Sequence, residues 1–131
     1  FYLMEIPEEY KDFNIGKDPE QEDGIGLNNE YPIVPINSIN NDIILQPGRA
    51  VRVRKDIDLL KNNIREYEKI SFYWKVDKLS DFEHVEIYSR TKEVKFLIPL
   101  GCEDEIIGVQ YIHSGEIYIA CNRVKEDLDS Q

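Results

Sequence analysis

The sequence predicts a mainly β, antiparallel domain, and three features carry that expectation. Ile70-Ser71-Phe72-Tyr73-Trp74-Lys75-Val76 alternates, with Ile70, Phe72, Trp74 and Val76 on one side of an extended strand and Ser71, Tyr73 and Lys75 on the other. The only tryptophan, Trp74, therefore falls on a buried sheet face. Short alternating runs recur along the second half, and His113-Ser114-Gly115-Glu116 reads as the tight turn of a hairpin.

The elements follow in order. Phe1, Leu3, Met4 and Ile6 form an apolar patch able to make a strand. Pro7 to Asn29 is rich in acid, Gly and Asn, centred on Asp18-Pro19-Glu20-Gln21-Glu22-Asp23-Gly24. Such a stretch buries too little apolar surface to offset its ordering entropy, so residues 1–30 are expected to be an acidic linker or the end of a preceding unit. Residues 31–124 form the β-rich domain. Ile33–Ile36 reads as an edge strand between Pro32 and Pro35, followed by Asp42–Gln46 and Ala50–Arg54, the last two separated by a turn at Pro47-Gly48. In Ala50-Val51-Arg52-Val53-Arg54 the valines are expected inward and the arginines outward.

Asp56 to Lys69 has Ile57, Leu60, Ile64 and Tyr67 at helical spacing and no Gly or Pro, which predicts one helix capped by Asp56. Beyond Trp74, His84–Arg90 is expected to point Val85, Ile87 and Ser89 inward. Glu93–Ile98 does the same with Val94, Phe96 and Ile98, and Ile106–His113 and Glu116–Arg123 make the closing hairpin. Residues 125–131 are expected to be a charged tail.

This order of features resembles one module of an immunoglobulin-like repeat protein: Tyr73-Trp74-Lys75 resembles the tryptophan-bearing third strand, Glu93–Ile98 an inward-alternating strand, Glu103-Asp104-Glu105 an acidic turn, and two hairpin-linked strands close the unit. The resemblance implies an antiparallel β-sandwich with the helix as an insertion. Val51 or Val53 stands where such a module carries its second-strand cysteine, so no inter-sheet bridge is implied. The competing architecture is an α+β antiparallel sheet covered by one helix.

A chain of 131 residues suits one domain, and its formal net charge of −10 repels phosphate backbones and anionic lipid, which argues against nucleic acid and the membrane surface as partners. No apolar run reaches the ~20 residues of a spanning helix, so no membrane insertion is expected. The opening Phe1-Tyr2-Leu3-Met4-Glu5 lacks signal-peptide organisation, and a chain beginning with phenylalanine suggests a piece of a larger multi-domain protein. Cys102 and Cys121 have no metal or redox spacing; Cys121 shares the parity of Ile117 and Ile119 and reads as a small buried hydrophobe, with a bridge between the two left open. The lack of a glycosylation sequon and of a cysteine framework leans towards an intracellular setting.

No cofactor is expected, and no metal. His84, His113, Cys102 and Cys121 are too scattered for zinc, and Asp18–Asn29 fails as a calcium loop because Asp23 and Asn29 occupy the positions that need Gly and Glu. Asn37-Ser38-Ile39-Asn40-Asn41-Asp42 could supply calcium between adhesive modules, and equally reads as a turn. No phosphate loop, nucleophile elbow or His-rich helix points to an enzyme. The function expected is a non-enzymatic one, interaction with another protein through a basic or apolar patch or a spacer role, with a calcium-stabilised adhesive domain of a surface protein as the alternative. Arg49, Arg52, Arg54 and Lys55 form a basic cluster in an acidic chain, suited to an acidic partner surface or to cross-strand carboxylates. Tyr73, Tyr88 and Tyr118 fall on outward registers, either as an exposed sticky stripe or as a second core beneath the helix.

Overall fold

A computed structural model describes residues 25–36, 42–61, 66–89, 91–101 and 105–128. Its strands are β1 (Ile33–Pro35), β2 (Ala50–Leu60), β3 (Tyr67–Val76), β4 (Val85–Ser89), β5 (Val94–Pro99), β6 (Gly108–Tyr111), β7 (Ile117–Ala120) and β8 (Val124–Glu126). Six of them form one antiparallel sheet in the order β2-β3-β7-β6-β5-β4, and β1 pairs with β8 in a two-stranded sheet. The expectation of a mainly β, antiparallel fold holds. The opposed sheets of an immunoglobulin module are not what forms: the described strands make one six-stranded sheet, in which the chain crosses from β3 to the far edge at β4 and returns to β7 beside β3, and a short two-stranded ribbon.

The expected helix over Asp56–Lys69 is replaced by a long hairpin. Residues 56–60 extend β2, residues 67–69 begin β3, and the Lys61 amide donates to the Glu66 carbonyl at 2.9 Å where the strands join; Ile64 lies outside the described residues. The cause is a β-bulge. Arg54 pairs with Phe72 and Ile57 with Ile70, so Lys55 and Asp56 oppose Ser71 alone. The extra residue breaks the period of two after Arg54, and the spacing that results imitates a helical face. Beyond the bulge the alternation returns, with Ile57 and Leu59 buried and Asp58 exposed.

Both faces of the central strands are buried. On one face Trp74, Val76, Ile117, Ile119 and Leu97 pack beneath Ile33, Ile44, Leu45 and Val124. Trp74 is 6% exposed, as its register predicts. On the other face Tyr73, Tyr118, Ala120, Phe96, Ile98 and Val109 meet Ile57, Leu59, Leu60 and Ile70 from the far end of the long hairpin. Full burial of an Ile or Leu contributes about 1.5–3 kcal/mol over exposure, so both clusters are major sources of stability.

Of the two readings of Tyr73 and Tyr118, the second core is the one that forms, covered by strand rather than by a helix, and the exposed stripe is corrected. The two tyrosines are 0% and 4% exposed, because the strand extension that stands in place of the helix covers them. The Tyr73 hydroxyl donates to the Ile57 carbonyl at 3.0 Å, and both Tyr73 and Tyr111 meet Tyr118 edge-on at 6.1 Å.

Several smaller expectations change. Asp42–Gln46 contributes a single bridge, Leu45 to Ile33, rather than a strand. β4 is the last strand of the sheet, so Ile87 is 39% exposed and Ser89 exposed rather than inward. Lys125 and Glu126, expected in the tail, belong to β8, and the Glu126 carboxylate accepts from the Glu30 and Tyr31 amides at 2.9 and 3.2 Å. Asn29, expected in the linker, is 2% exposed. Its Nδ2 donates to the Tyr31 and Gln46 carbonyls and its Oδ1 accepts from the Ala50 amide. The turn at Pro47-Gly48 is present with Gly48 at φ +81°, and so is the hairpin turn, where the Gly115 amide donates to the Tyr111 carbonyl at 2.8 Å.

Burial holds the tyrosines of the second cluster neutral. Desolvation, with the Glu116 carboxylate adding to it, pushes the Tyr118 hydroxyl up to about 12, and desolvation raises Tyr73 and Tyr111 as well. In the unfolded chain a tyrosine loses its proton near 10. Between those values the unfolded state sheds protons that the folded state keeps, so raising the pH favours unfolding. Denaturant melts are expected to show stability unchanged by this term up to pH 9 and falling from pH 10 to 12; a flat profile there would show these hydroxyls to be solvated.

Candidate functional site

The long hairpin builds an open depression of about 400 Å³ lined by Arg52, Lys69, Ile70, Ser71, Phe72, Cys121 and Asn122. The register explains the arrangement. Arg54 lies directly across from Phe72 and Arg52 across from Trp74, so the two guanidinium groups flank the Phe72 ring, at 5.4 Å for Arg52 and 5.9 Å for Arg54. The 3-10 turn Cys121–Arg123 after β7 brings Cys121 and Asn122 to the other side.

Two carboxylates of the hairpin, Asp56 and Glu68, are bonded to neighbouring side chains. Asp56 accepts from the Ser71 hydroxyl at 2.7 Å, and Glu68 is held by Arg123 at 3.0 Å and by Asn122 at 3.4 Å. Arg52 is the exception among these polar groups: its Nε is sealed from solvent with no hydrogen-bond partner. An unsatisfied buried donor costs about 1–3 kcal/mol, and more beside a charge.

Cys121 borders the same depression and packs against the first core. Desolvation pushes its thiol up to about 11, although Arg52 pulls the other way. At neutral pH it is a thiol and a poor nucleophile. Cys102 lies outside the described residues, and Cys121 is free.

The basic cluster read from the sequence is split. Arg49 pairs with Asp81 at 3.8 Å, Arg52 and Arg54 share Phe72, and Lys55 crosses to the other face, its Nζ 5.2 Å from the Tyr118 ring. Tyr88 sits apart on β4, 44% exposed, with its hydroxyl donating to Glu86 at 2.9 Å. Of the five interface candidates, Arg52 and Arg54 come together at Phe72, Tyr73 and Tyr118 meet each other in the interior, and Tyr88 stands apart. Lys69, Ser71, Phe72, Cys121 and Asn122 were not singled out as site residues. Pairing Ala50–Arg54 against Ile70–Val76 as a hairpin would have placed Phe72 between the arginines; nothing in the sequence marks Asn122.

Metal ligation finds no support among the described residues, where no three His, Cys, Asp or Glu side chains converge. Of the possible calcium ligands in Asn37–Asp42, only Asp42 is described, and Asp18–Asp23 also lies outside the described residues. His84 instead places Nδ1 at 2.9 Å from the Ile43 carbonyl, with its backbone at φ 56°. Among the described residues no helix is long and apolar enough to cross a membrane.

No curated protein matches the chain. The family model described as Mss4 protein matches residues 37–126, from before β2 to the end of β8, and so takes in the long hairpin and every residue lining the depression. That match overturns the immunoglobulin-like resemblance: the tryptophan strand and the closing hairpin are parts of a different β-rich domain, and the chain belongs to the Mss4 family.

Proposed function

We propose that this domain is a non-enzymatic protein-interaction module whose depression between β2, β3 and the Cys121 turn receives an acidic segment of a partner protein. One observation carries the reading: Arg52 and Lys69 line the depression, with the Arg52 guanidinium 5.4 Å from the Phe72 ring, and so place two cations beside an aromatic face. Against a chain of net charge −10, a basic and aromatic hollow is a local reversal of the surface field. A carboxylate-bearing segment gains a charge-assisted hydrogen bond there and an aromatic surface for its backbone or side chain. The neutral Cys121 thiol supports binding over nucleophilic chemistry at the same place.

The test uses a fluorescein-labelled hexaglutamate peptide and fluorescence anisotropy. Binding is expected to weaken at least ~10-fold in Arg52→Ala, the scale for losing one charged hydrogen bond to a carboxylate. Arg49→Ala, whose side chain pairs with Asp81, is expected to bind within about 2-fold of the parent. Equal loss in both variants would show attraction to overall charge rather than to this site.

A further inference from the structure

The large sheet ends at β4, the last strand in the order β2-β3-β7-β6-β5-β4, and among the described residues no strand pairs with its outer side. The ladder fixes which groups point there. The Leu100 amide donates to the His84 carbonyl at 2.9 Å, so these two form a hydrogen-bonded pair, and bonded and non-bonded pairs alternate along an antiparallel ladder. Glu86 and Tyr88 therefore bond to Ile98 and Phe96, while Val85, Ile87 and Ser89 direct their N–H and C=O groups outward. Pro99 agrees with this phase: it stands opposite Val85, where the ladder requires no N–H. Such edges are commonly blunted by lysine, proline or a bulge, and β4 has none of these. Ile87 and Tyr88 are instead 39% and 44% exposed. The open stretch is short. Ahead of Val85 the Glu83 amide donates to the Ile44 carbonyl and His84 Nδ1 lies 2.9 Å from the Ile43 carbonyl, so residues 43 and 44 already take that position.

We infer that a second copy of this chain adds its own β4 antiparallel to this edge, joining two six-stranded sheets across a two-fold axis at Ile87. The strand is self-complementary in that register. Val85 meets the partner's Ser89, Ile87 the partner's Ile87, and Ser89 the partner's Val85, so every outward residue exchanges N–H···O=C bonds. A centre one residue either way leaves one of the three unpaired, and a centre at Glu86 sets two carboxylates directly opposite each other. Centred on Ile87, Glu86 (the only charged side chain of the strand) meets the partner's Tyr88 instead. The same two side chains already bond within one chain, where the Tyr88 hydroxyl donates to Glu86 at 2.9 Å. At the axis two partly exposed isoleucines cover each other. A five-residue strand buries less than the ~1,200 Å² of a stable complex, and each copy has a formal net charge of −10, so the dimer is transient and salt favours it.

Sedimentation equilibrium of the full chain between ~20 µM and ~1 mM is expected to show the weight-average mass rising towards that of a dimer, more steeply at ~300 mM than at ~50 mM NaCl. Ile87→Lys, which sets two lysines face to face at the axis, is expected to weaken association at least ~10-fold even though it lowers the net charge. Ile112→Lys makes the same change at an isoleucine of equal exposure away from β4 and is expected to stay within about 2-fold of the parent. Ile87→Pro removes an N–H that points outward, so the ladder to β5 keeps its bonds while the dimer loses its central pair. In an NMR dilution series the amide protons of Val85, Ile87 and Ser89 are expected to move, and those of Glu86 and Tyr88 to stay.

A chain that stays monomeric at ~1 mM overturns the inference and leaves the edge to a strand of a different protein. Association of Ile87→Lys as tight as that of the parent overturns it too. So does association that weakens with salt or is abolished by Arg52→Ala, which would place the contact at the basic hollow rather than at the sheet edge.

Discussion

Replacing Gly108 by alanine is expected to lower stability by about 3 kcal/mol, the upper part of the range for forcing an added group into a filled interior. Gly108 pairs with Ile119 across β6 and β7 and with Leu97 across β5 and β6. A β-carbon there would overlap the Ile119 Cδ1 and the Tyr118 carbonyl oxygen. The side-chain tip could rotate away, but the oxygen belongs to the ladder and cannot move without opening it. Since Gly108 does not have a positive φ, the demand is for space alone.

Gly115 supplies the contrast. Its φ is +80° and nothing lies within 4 Å of its missing β-carbon, so Gly115→Ala is expected to cost only the ~1–2 kcal/mol of a left-handed alanine. Thermal melts compare the two directly. For Gly108→Ala a fall on the order of 10 °C is expected, and a loss no greater than that of Gly115→Ala would show that the sheet centre is loosely packed.

Arg123→Ala is expected to cost a similar amount, about 3 kcal/mol, for a different reason. Nη1 of Arg123 donates to the Leu60 and Ile106 carbonyls at 2.8 and 2.6 Å, and Nη2 meets Glu68 at 3.0 Å, with the side chain 10% exposed. One guanidinium thus ties the end of β2, the approach to β6 and the start of β3 to the turn after β7. Removing it strands two carbonyls in the second core, at roughly 1–3 kcal/mol each before relaxation. Glu68 is partly exposed and regains water, so its share is small. Lysine cannot span the same three acceptors with the fork geometry of arginine, so Arg123→Lys is expected to recover less than half of the loss. Urea denaturation checks both variants, and full recovery by lysine would show that charge rather than geometry holds the three segments.

Much of the sheet was legible because period-two alternation survives wherever a strand runs unbroken. Ile70–Val76, Glu93–Ile98 and the two strands about His113–Glu116 are recovered as β3, β5 and the hairpin of β6 and β7. The misreadings have identifiable causes. The bulge at Lys55 and Asp56 inserts one residue into the period, and the hydrophobic spacing then mimics a helix. A period-two reading assigns one buried face to each strand, whereas β7 is buried along its whole length and Tyr73 and Tyr118 take the second face.

Long-range polar contacts leave no local trace. Asn29 and Glu126 sit in stretches of loop and tail composition, yet one organises the entry to β2 and the other receives two amides from residues 30 and 31. The site was half legible. Arg52 and Arg54 stood out by charge, but their convergence on Phe72 required the hairpin register, and Lys69 and Ser71 were hidden within or beside the supposed helix.

The binding role of the hollow is tested most directly by titrating isotope-labelled protein with hexaglutamate and following backbone and side-chain amide resonances. The account predicts shifts concentrated at Arg52, Lys69, Ser71, Phe72, Cys121 and Asn122, with β4 and its Tyr88 unmoved. Shifts centred on β4, or spread evenly over the basic side chains without preference for Arg52, would contradict it.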